Sequence, residues 1–329
     1  MKPGLESERS AHQATRPGSF PAGTASSLSA FGLALQVDFA LPGAGSAPAE
    51  TAGPRPLAVT EAAPEQLFEL TAEARFLRHL QVNEGCPFAT LQGPAGDILF
   101  HYGWRALFHL SSDLGVLQCA FTAGDRRTSE RFLLDTVLWT VSLARGLHLL
   151  HAGAVSTPAG VVAFAAQTGG GKTSLVVECL RRGARLFADD VVALEGRDGR
   201  VVAHPGPPVM NVPARLGAGA VAGARGLADF GDEHWVCLDA APPTPAPLAA
   251  IVLLSRAPDL PLRCTPVQAS SLTLLPLAIS LPHMTPGARE RFEVFGHLAA
   301  TTPVLSLTAE PSVTPADLAD AVEKRVPLR

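Results

Sequence analysis

One stretch constrains this chain more than any other: Ala166-Gln-Thr-Gly-Gly-Gly-Lys-Thr173. The apolar run Val161-Val-Ala-Phe-Ala165 leads into it, and the helical pattern Ser174-Leu-Val-Val-Glu-Cys-Leu180 leads out. Strand, glycine loop and helix in that order are the context that gives a P-loop motif its meaning, here with Ala in place of the first Gly. Gly169, Gly170 and Gly171 let the backbone curl so that successive N–H groups point inward. Those groups and the helix N-terminus make a cradle for phosphate. The spacing therefore predicts phosphate binding by Ala166, Gln167, Thr168, Gly169, Gly170, Gly171, Lys172, Thr173 and Ser174. Lys172 is positioned to reach the β- and γ-phosphates of a nucleotide, and the Thr173 hydroxyl to ligate Mg²⁺. An ordinary glycine turn opening a helix is the plainer reading. Against it, the chain has only three lysines (Lys2, Lys172 and Lys324), and one occupies the required position.

Composition removes several other classes. The chain is 329 residues long, 47% apolar and 17% charged, so it can bury a substantial core and is long enough for two domains. A net charge of −4 leaves no electrostatic footprint for nucleic acid. The longest apolar runs, such as Leu248-Ala-Ala-Ile-Val-Leu-Leu254, are too short for a membrane helix. The first residues carry Lys2, Arg9 and Arg16 without an apolar run, which argues against a signal peptide. Five dispersed cysteines have neither metal nor disulfide spacing and read as core thiols of a cytoplasmic protein.

Residues 1–28 are rich in Ser, Ala, Gly, Pro and Thr without periodicity and read as a disordered tail. Residues 29–126 read as a small, mainly β, antiparallel N-terminal domain. Its expected strands are Phe31–Phe39, Leu67–Leu70, Asp97–His101, Ala106–Leu110 and Gly115–Phe121. Residues 127–329 read as an α/β nucleotide-binding domain. It opens with a helix over Thr128–Leu143, preceded by capping residues from Asp125. Later expectations are a strand over Arg185–Leu194 and a proline-rich loop over Pro205–Pro213. Helices follow over Ser270–Ile279, from Thr285-Pro286 and from Thr314-Pro315.

The pair Asp189-Asp190 interrupts an otherwise apolar strand pattern. Burying two carboxylates is costly without a partner, and a metal–phosphate site supplies one. One acid can then hold Mg²⁺ while the other orients or deprotonates an acceptor hydroxyl. Adjacent strand residues point to opposite faces, so both serve one site only at a strand end or bulge. A strand terminus with two solvated acids is the alternative. His151 closes the apolar run Leu147–His151; taken alone it is more ordinary as a hydrogen-bonded core histidine than as a site residue. Their odd spacing sends His148 and His151 to opposite faces, so they are not a metal pair.

Leu150-His151-Ala-Gly-Ala-Val, the P-loop, and Arg182-Gly183-Ala-Arg-Leu-Phe-Ala188-Asp189-Asp190-Val191 together resemble the C-terminal domain of HPr kinase/phosphorylase. More closely they resemble the wider HPr-kinase-like group, which includes kinases of lasso-peptide pathways. The resemblance covers roughly residues 128–325 and is strongest over 147–195. It implies a fold related to phosphoenolpyruvate carboxykinase, with ATP and Mg²⁺ as cofactors. It implies catalytic roles for Lys172 and His151, a general base at Asp189 and a metal ligand at Asp190, the last two roles being exchangeable. It also implies phosphoryl transfer to a hydroxyl, with Ser of a peptide or small protein as the expected acceptor. The chain lacks the Glu-Ile-Arg-Gly-type signature of true HPr kinases. His204-Pro-Gly-Pro-Pro-Val-Met-Asn211 stands in that region and argues against HPr itself as the substrate.

A small-molecule acceptor and a nucleotide-gated binding module without transfer activity remain as other readings. Arg182, Arg185, Arg289 and Arg291 are candidates for additional positive charge at the phosphates. Oligomeric state, including a homo-oligomer, is left open by the sequence.

Overall fold

The computed structural model describes residues 26–45, 55–81, 87–122, 124, 126–197, 199–238, 243–281, 284 and 287–328. It is a mixed α/β structure built on several sheets. The N-terminal sheet has eight strands, running from the hairpin Ser26–Ala30/Leu33–Val37 at one edge to Arg75–Gln81 at the other. Residues 1–25 of the expected tail lie outside the described residues, but Ser26, Ser27 and Leu28 belong to the first strand rather than to a tail. The expected strand Phe31–Phe39 is shorter, Leu33–Val37, because Phe31 and Gly32 take positive φ and form the hairpin turn.

Two further expectations for this region are corrected. Leu67–Leu70 is not a strand but part of the helix Pro64–Thr71, which Pro64 opens and which buries Leu67. The sheet is also not wholly antiparallel. Leu57–Glu61 pairs in parallel with both Leu33–Val37 and Val116–Phe121. Strands over 98–102, 106–110 and 116–121 stand where the alternation placed them.

The helix expected over Thr128–Leu143 is present in three parts: Arg126–Phe132, a π-helical turn Leu133–Val137, and Leu138–Ala144. Asp125, expected to cap it, lies outside the described residues. Its apolar face (Phe132, Leu134, Val137, Leu138, Val141) packs on the eight-stranded sheet, with Phe132 stacked on Tyr102 at 4.0 Å between ring centroids. The same apolar cluster continues to Leu149, Val191, Val209 and Trp235, so the sheet, this helix and the later strands share one core.

A second sheet has the order Arg185–Ala188, Gly153–Thr157, Gly160–Ala166, Leu248–Arg256, Val304–Ala309, Arg263–Val267. Its central three strands are parallel. Their near-continuous Val, Ala, Leu and Ile runs follow from burial on both faces. A four-stranded sheet contains Arg200–His204, Val191–Arg197, His148–His151 and Ala278–Ile279.

The expected continuous strand Arg185–Leu194 is therefore two strands in two different sheets, broken at Asp189-Asp190. Its antiparallel neighbour breaks opposite it at Ala152, with Ala154 paired to Ala188 on one side and His151 to Val191 on the other. The ribbon turns a corner between sheets there.

The proline-rich segment is a loop only to Pro208; Val209–Pro213 is a strand paired with Glu233–Leu238. Ser270–Ile279 is one short helix, Ser271–Leu274, then a 3₁₀ turn and a strand, because Pro276 cannot continue a helix. Thr285 and Pro286 lie outside the described residues, and the next helix runs Ala288–Thr301. The last helix, Pro315–Glu323, has the expected Thr314 cap, whose hydroxyl accepts from the Asp317 N–H at 3.2 Å. Among the described residues no helix is long and apolar enough to cross a membrane. Cys119, Cys179, Cys237 and Cys264 are buried thiols, and Cys86 lies outside the described residues.

Candidate active site at the corner between two sheets

The glycine loop follows the strand Gly160–Ala166 and ends in the helix Lys172–Arg181. Each glycine has its own reason. Gly169 (φ 78°) and Gly171 (φ 95°) sit in the left-handed region that side chains avoid. Gly170 has ordinary φ, but a Cβ there would lie 2.9 Å from the Gln167 carbonyl oxygen. Gly171 caps the helix without any side-chain hydrogen bond, so the first turn's N–H groups have no cap of their own. Gln167, Thr168 and Gly169 are exposed, whereas Lys172 and Ser174 are buried and Thr173 is half-buried.

The buried Lys172 side chain turns toward the sheet corner. Its Nζ donates to His151 Nε2 at 2.8 Å and makes a close ion pair with Asp190 Oδ1. His151 Nε2 is 3.6 Å from the same carboxylate oxygen. Burial lowers the His151 pKa, and Lys172 adds to that while Asp190 opposes it. A neutral imidazole accepting from the ammonium is consistent with both. His148 faces the other way and is buried against Phe295 and Glu290, so the two histidines part as the strand period requires.

Asp189 and Asp190 form the break between the strands Arg185–Ala188 and Val191–Arg197, where the alternation of faces no longer holds. Their surroundings differ. Asp190 is exposed and paired with Lys172. Asp189 accepts through Oδ2 from the Asn211 backbone N–H at 2.8 Å and from Asn211 Nδ2 at 3.3 Å. Its Oδ1 is buried with no hydrogen-bond partner. Burial, reinforced by the Asp190 charge, pushes the Asp189 pKa up to about 8 against the pull of the Asn211 N–H. Gly153 permits this packing: a Cβ there would lie 2.6 Å from the Asp189 carbonyl oxygen and 3.0 Å from Val176.

Four residues near this corner escape sequence reasoning. Asp135, on the π-helical turn, accepts from Asn211 Nδ2 at 3.1 Å and lies 3.5 Å from Arg131. Burial pushes its pKa up to about 6, opposed by Arg131. Asn211 joins Asp135 to Asp189. The readable signals were an acid inside an apolar helix face and an amide inside the apolar run Val209-Met-Asn-Val212. Arg215 donates to Ser174 Oγ at 2.8 Å, on the helix that follows the glycine loop. Arg256 Nε lies 3.7 Å from where a Gly171 Cβ would stand, while its Nη atoms donate to the Pro311 and Val313 carbonyls.

The arginines suggested by sequence stand elsewhere. Arg182 is held at the far end of the same helix by Glu178, Asp320, Glu323 and the Ala316 carbonyl. Arg185 lines a separate cavity with Leu180, Gly206 and Pro208. Arg289 pairs with Glu293 on the surface, and Arg291 donates to Ser280.

No family model matches the chain, and no curated protein matches it. Among solved structures, the Hpr(Ser) kinase/phosphatase from Coxiella burnetii is similar, with 13% sequence identity and a TM-score of 0.30. The match covers 54% of this chain and 94% of that one. So slight a likeness does not assign the fold.

Proposed function

We propose that the protein is an ATP- and Mg²⁺-dependent phosphotransferase of the HPr-kinase-like, P-loop type, acting on a hydroxyl acceptor, with Ser of a peptide or small protein as first choice. The observation that carries this reading is the convergence on one corner of a glycine cradle, Lys172, His151 and two carboxylates in unlike environments. Unlike environments are what separate a base from a metal ligand.

The residues present suit a nucleotide. The cradle is one that a Cβ at Gly170 would crowd, and it ends in an uncapped helix N-terminus. They also suit Mg²⁺, a hard cation that takes one or two carboxylates along with substrate phosphates. Thr173 and Asp190 supply such oxygens. No group of three or more His, Cys, Asp or Glu is close enough to hold a metal among the described residues, and Mg²⁺ does not require one. When bound, Mg²⁺ neutralises charge on the phosphate oxygens.

The acceptor oxygen attacks the γ-phosphorus in line, the bond to the bridging β,γ-oxygen breaks, and ADP leaves. Asp189 Oδ1, buried and without a donor, takes the hydroxyl proton. Burial and the neighbouring Asp190 charge raise its affinity for that proton. Lys172 leaves Asp190 and His151 to meet the phosphates. Arg215 and Arg256 stand close enough to the loop to add positive charge to the transferring group.

Purified protein with γ-labelled ATP and Mg²⁺ should transfer label to Ser-containing peptides. Asp189→Asn should abolish transfer and leave nucleotide binding intact. Equal transfer by the variant would remove Asp189 from the chemistry.

A further inference from the structure

We infer that Asp135 and Asn211 are positioning residues for Asp189, fixing which of its carboxylate oxygens faces the acceptor; the inference rests on the phosphotransferase reading above. Asn211 holds Asp189 Oδ2 twice, through its backbone N–H at 2.8 Å and its Nδ2 at 3.3 Å. The same Nδ2 donates to Asp135 Oδ2 at 3.1 Å. With both amide hydrogens directed at carboxylates, the orientation of the Asn211 side chain is set from the far side by Asp135. Asp135 is itself held near Arg131, whose guanidinium pairs with Glu233 and lies 4.6 Å from the centre of the Phe230 ring. The chain of contacts therefore runs from the strand ribbon 224–238, through the π-helical turn, to the sheet corner.

Two details set this arrangement apart from ordinary core polarity. Asp189 Oδ1 and Asn211 Oδ1 are both buried with no hydrogen-bond partner. Folded proteins satisfy nearly all such atoms, so each exception needs an explanation, a catalytic role being one. Asp135 also sits in a π-helical turn, 133–137, set between two α-helical segments. Such turns cost regular hydrogen bonding and are frequent at functional sites. A half-buried cluster of two acids and an amide is weak evidence for stability, since apolar packing of the same volume often does as well. With Oδ2 engaged by Asn211, Oδ1 is the oxygen whose lone pairs are uncommitted and can take a proton from the acceptor.

The test is steady-state transfer from γ-labelled ATP to a Ser-containing peptide library, and to water, with Mg²⁺–ATP affinity measured separately by calorimetry. Asp135→Ala and Asn211→Ala should each lower kcat about 10- to 100-fold, the loss typical of a misplaced group. KM for ATP and calorimetric affinity should stay at the wild-type value. Asp135→Asn should recover most of the activity, because its amide oxygen can still accept from Asn211 Nδ2. A purely structural role would instead lower nucleotide affinity and kcat together and would track the melting temperature. If Asp135→Ala does not fold, Asn211→Ala decides, since it keeps the backbone N–H to Asp189. Wild-type kcat in the alanine variants, alongside an inactive Asp189→Asn, would overturn the positioning role and leave the kinase reading standing. No transfer by the wild type to either acceptor would overturn both.

Discussion

Lys172 Nζ lies 2.8 Å from His151 Nε2, bringing together residues 21 positions apart in the chain. The contact exists because the helix after the glycine loop packs against the corner where His151 ends its strand. It places the ammonium between an imidazole and the Asp190 carboxylate, in the space next to the cradle.

Lys172→Ala should weaken nucleotide binding by at least about tenfold, roughly 1.4 kcal/mol, if the ammonium meets the phosphates. The same variant leaves Asp190 without its cation. Calorimetry with Mg²⁺–ATP checks it, and unchanged affinity would place the lysine outside the nucleotide site.

Gly153→Ala should destabilise the fold by about 1–3 kcal/mol, the usual range for overpacking. Its Cβ would meet the Asp189 carbonyl oxygen at 2.6 Å, which is backbone and cannot step aside. Chemical denaturation reads the loss. Transfer activity should fall with it, because the acid corner moves.

The pH dependence of stability has a definite sign. The pKa of Asp189 is pushed up to about 8 and that of Asp135 to about 6, from an ordinary value of 3.8. Between that ordinary value and the raised one, the folded state holds a proton that the unfolded chain has released. Stability from these groups is therefore full below about pH 4 and is lost as pH rises toward 8. His151, whose pKa is lowered, works in the opposite sense at acid pH. Comparison of Asp189→Asn with the wild type isolates the acid: the variant should gain stability relative to the wild type from pH 5 to 8. A constant difference across that range would refute the assignment.

Arg182→Ala should cost about 1–2 kcal/mol of stability through lost hydrogen bonds while leaving ATP affinity unchanged. Its partners tie the helix Lys172–Arg181 to Pro315–Glu323, and Asp320 is exposed, which keeps that ion pair weak. Thermal unfolding and a binding isotherm together check both halves.

The sequence by itself determined the local facts. Strand, glycine loop and helix at 160–181, and the capped helix at Thr314, follow from short-range rules of φ, capping and periodicity that hold wherever the segment sits. It also singled out Lys172 by the P-loop spacing and Asp189-Asp190 because charge inside an apolar run needs a partner, while His151 stood out only through the family resemblance. It misread Leu67–Leu70 and Ser270–Ile279, where short apolar runs fit helix and strand equally well. Tertiary structure alone decided that Asp189 and Asp190 form the break between strands of two different sheets, and so why one is half-buried with an unpartnered buried oxygen and the other exposed. It alone brought Asp135 and Asn211 to Asp189 across separations of 54 and 22 residues, and set Arg215 against Ser174 in the first turn of the helix after the loop while Arg182 stands at that helix's far end. Those choices depend on packing between distant segments, where no spacing rule in the chain operates.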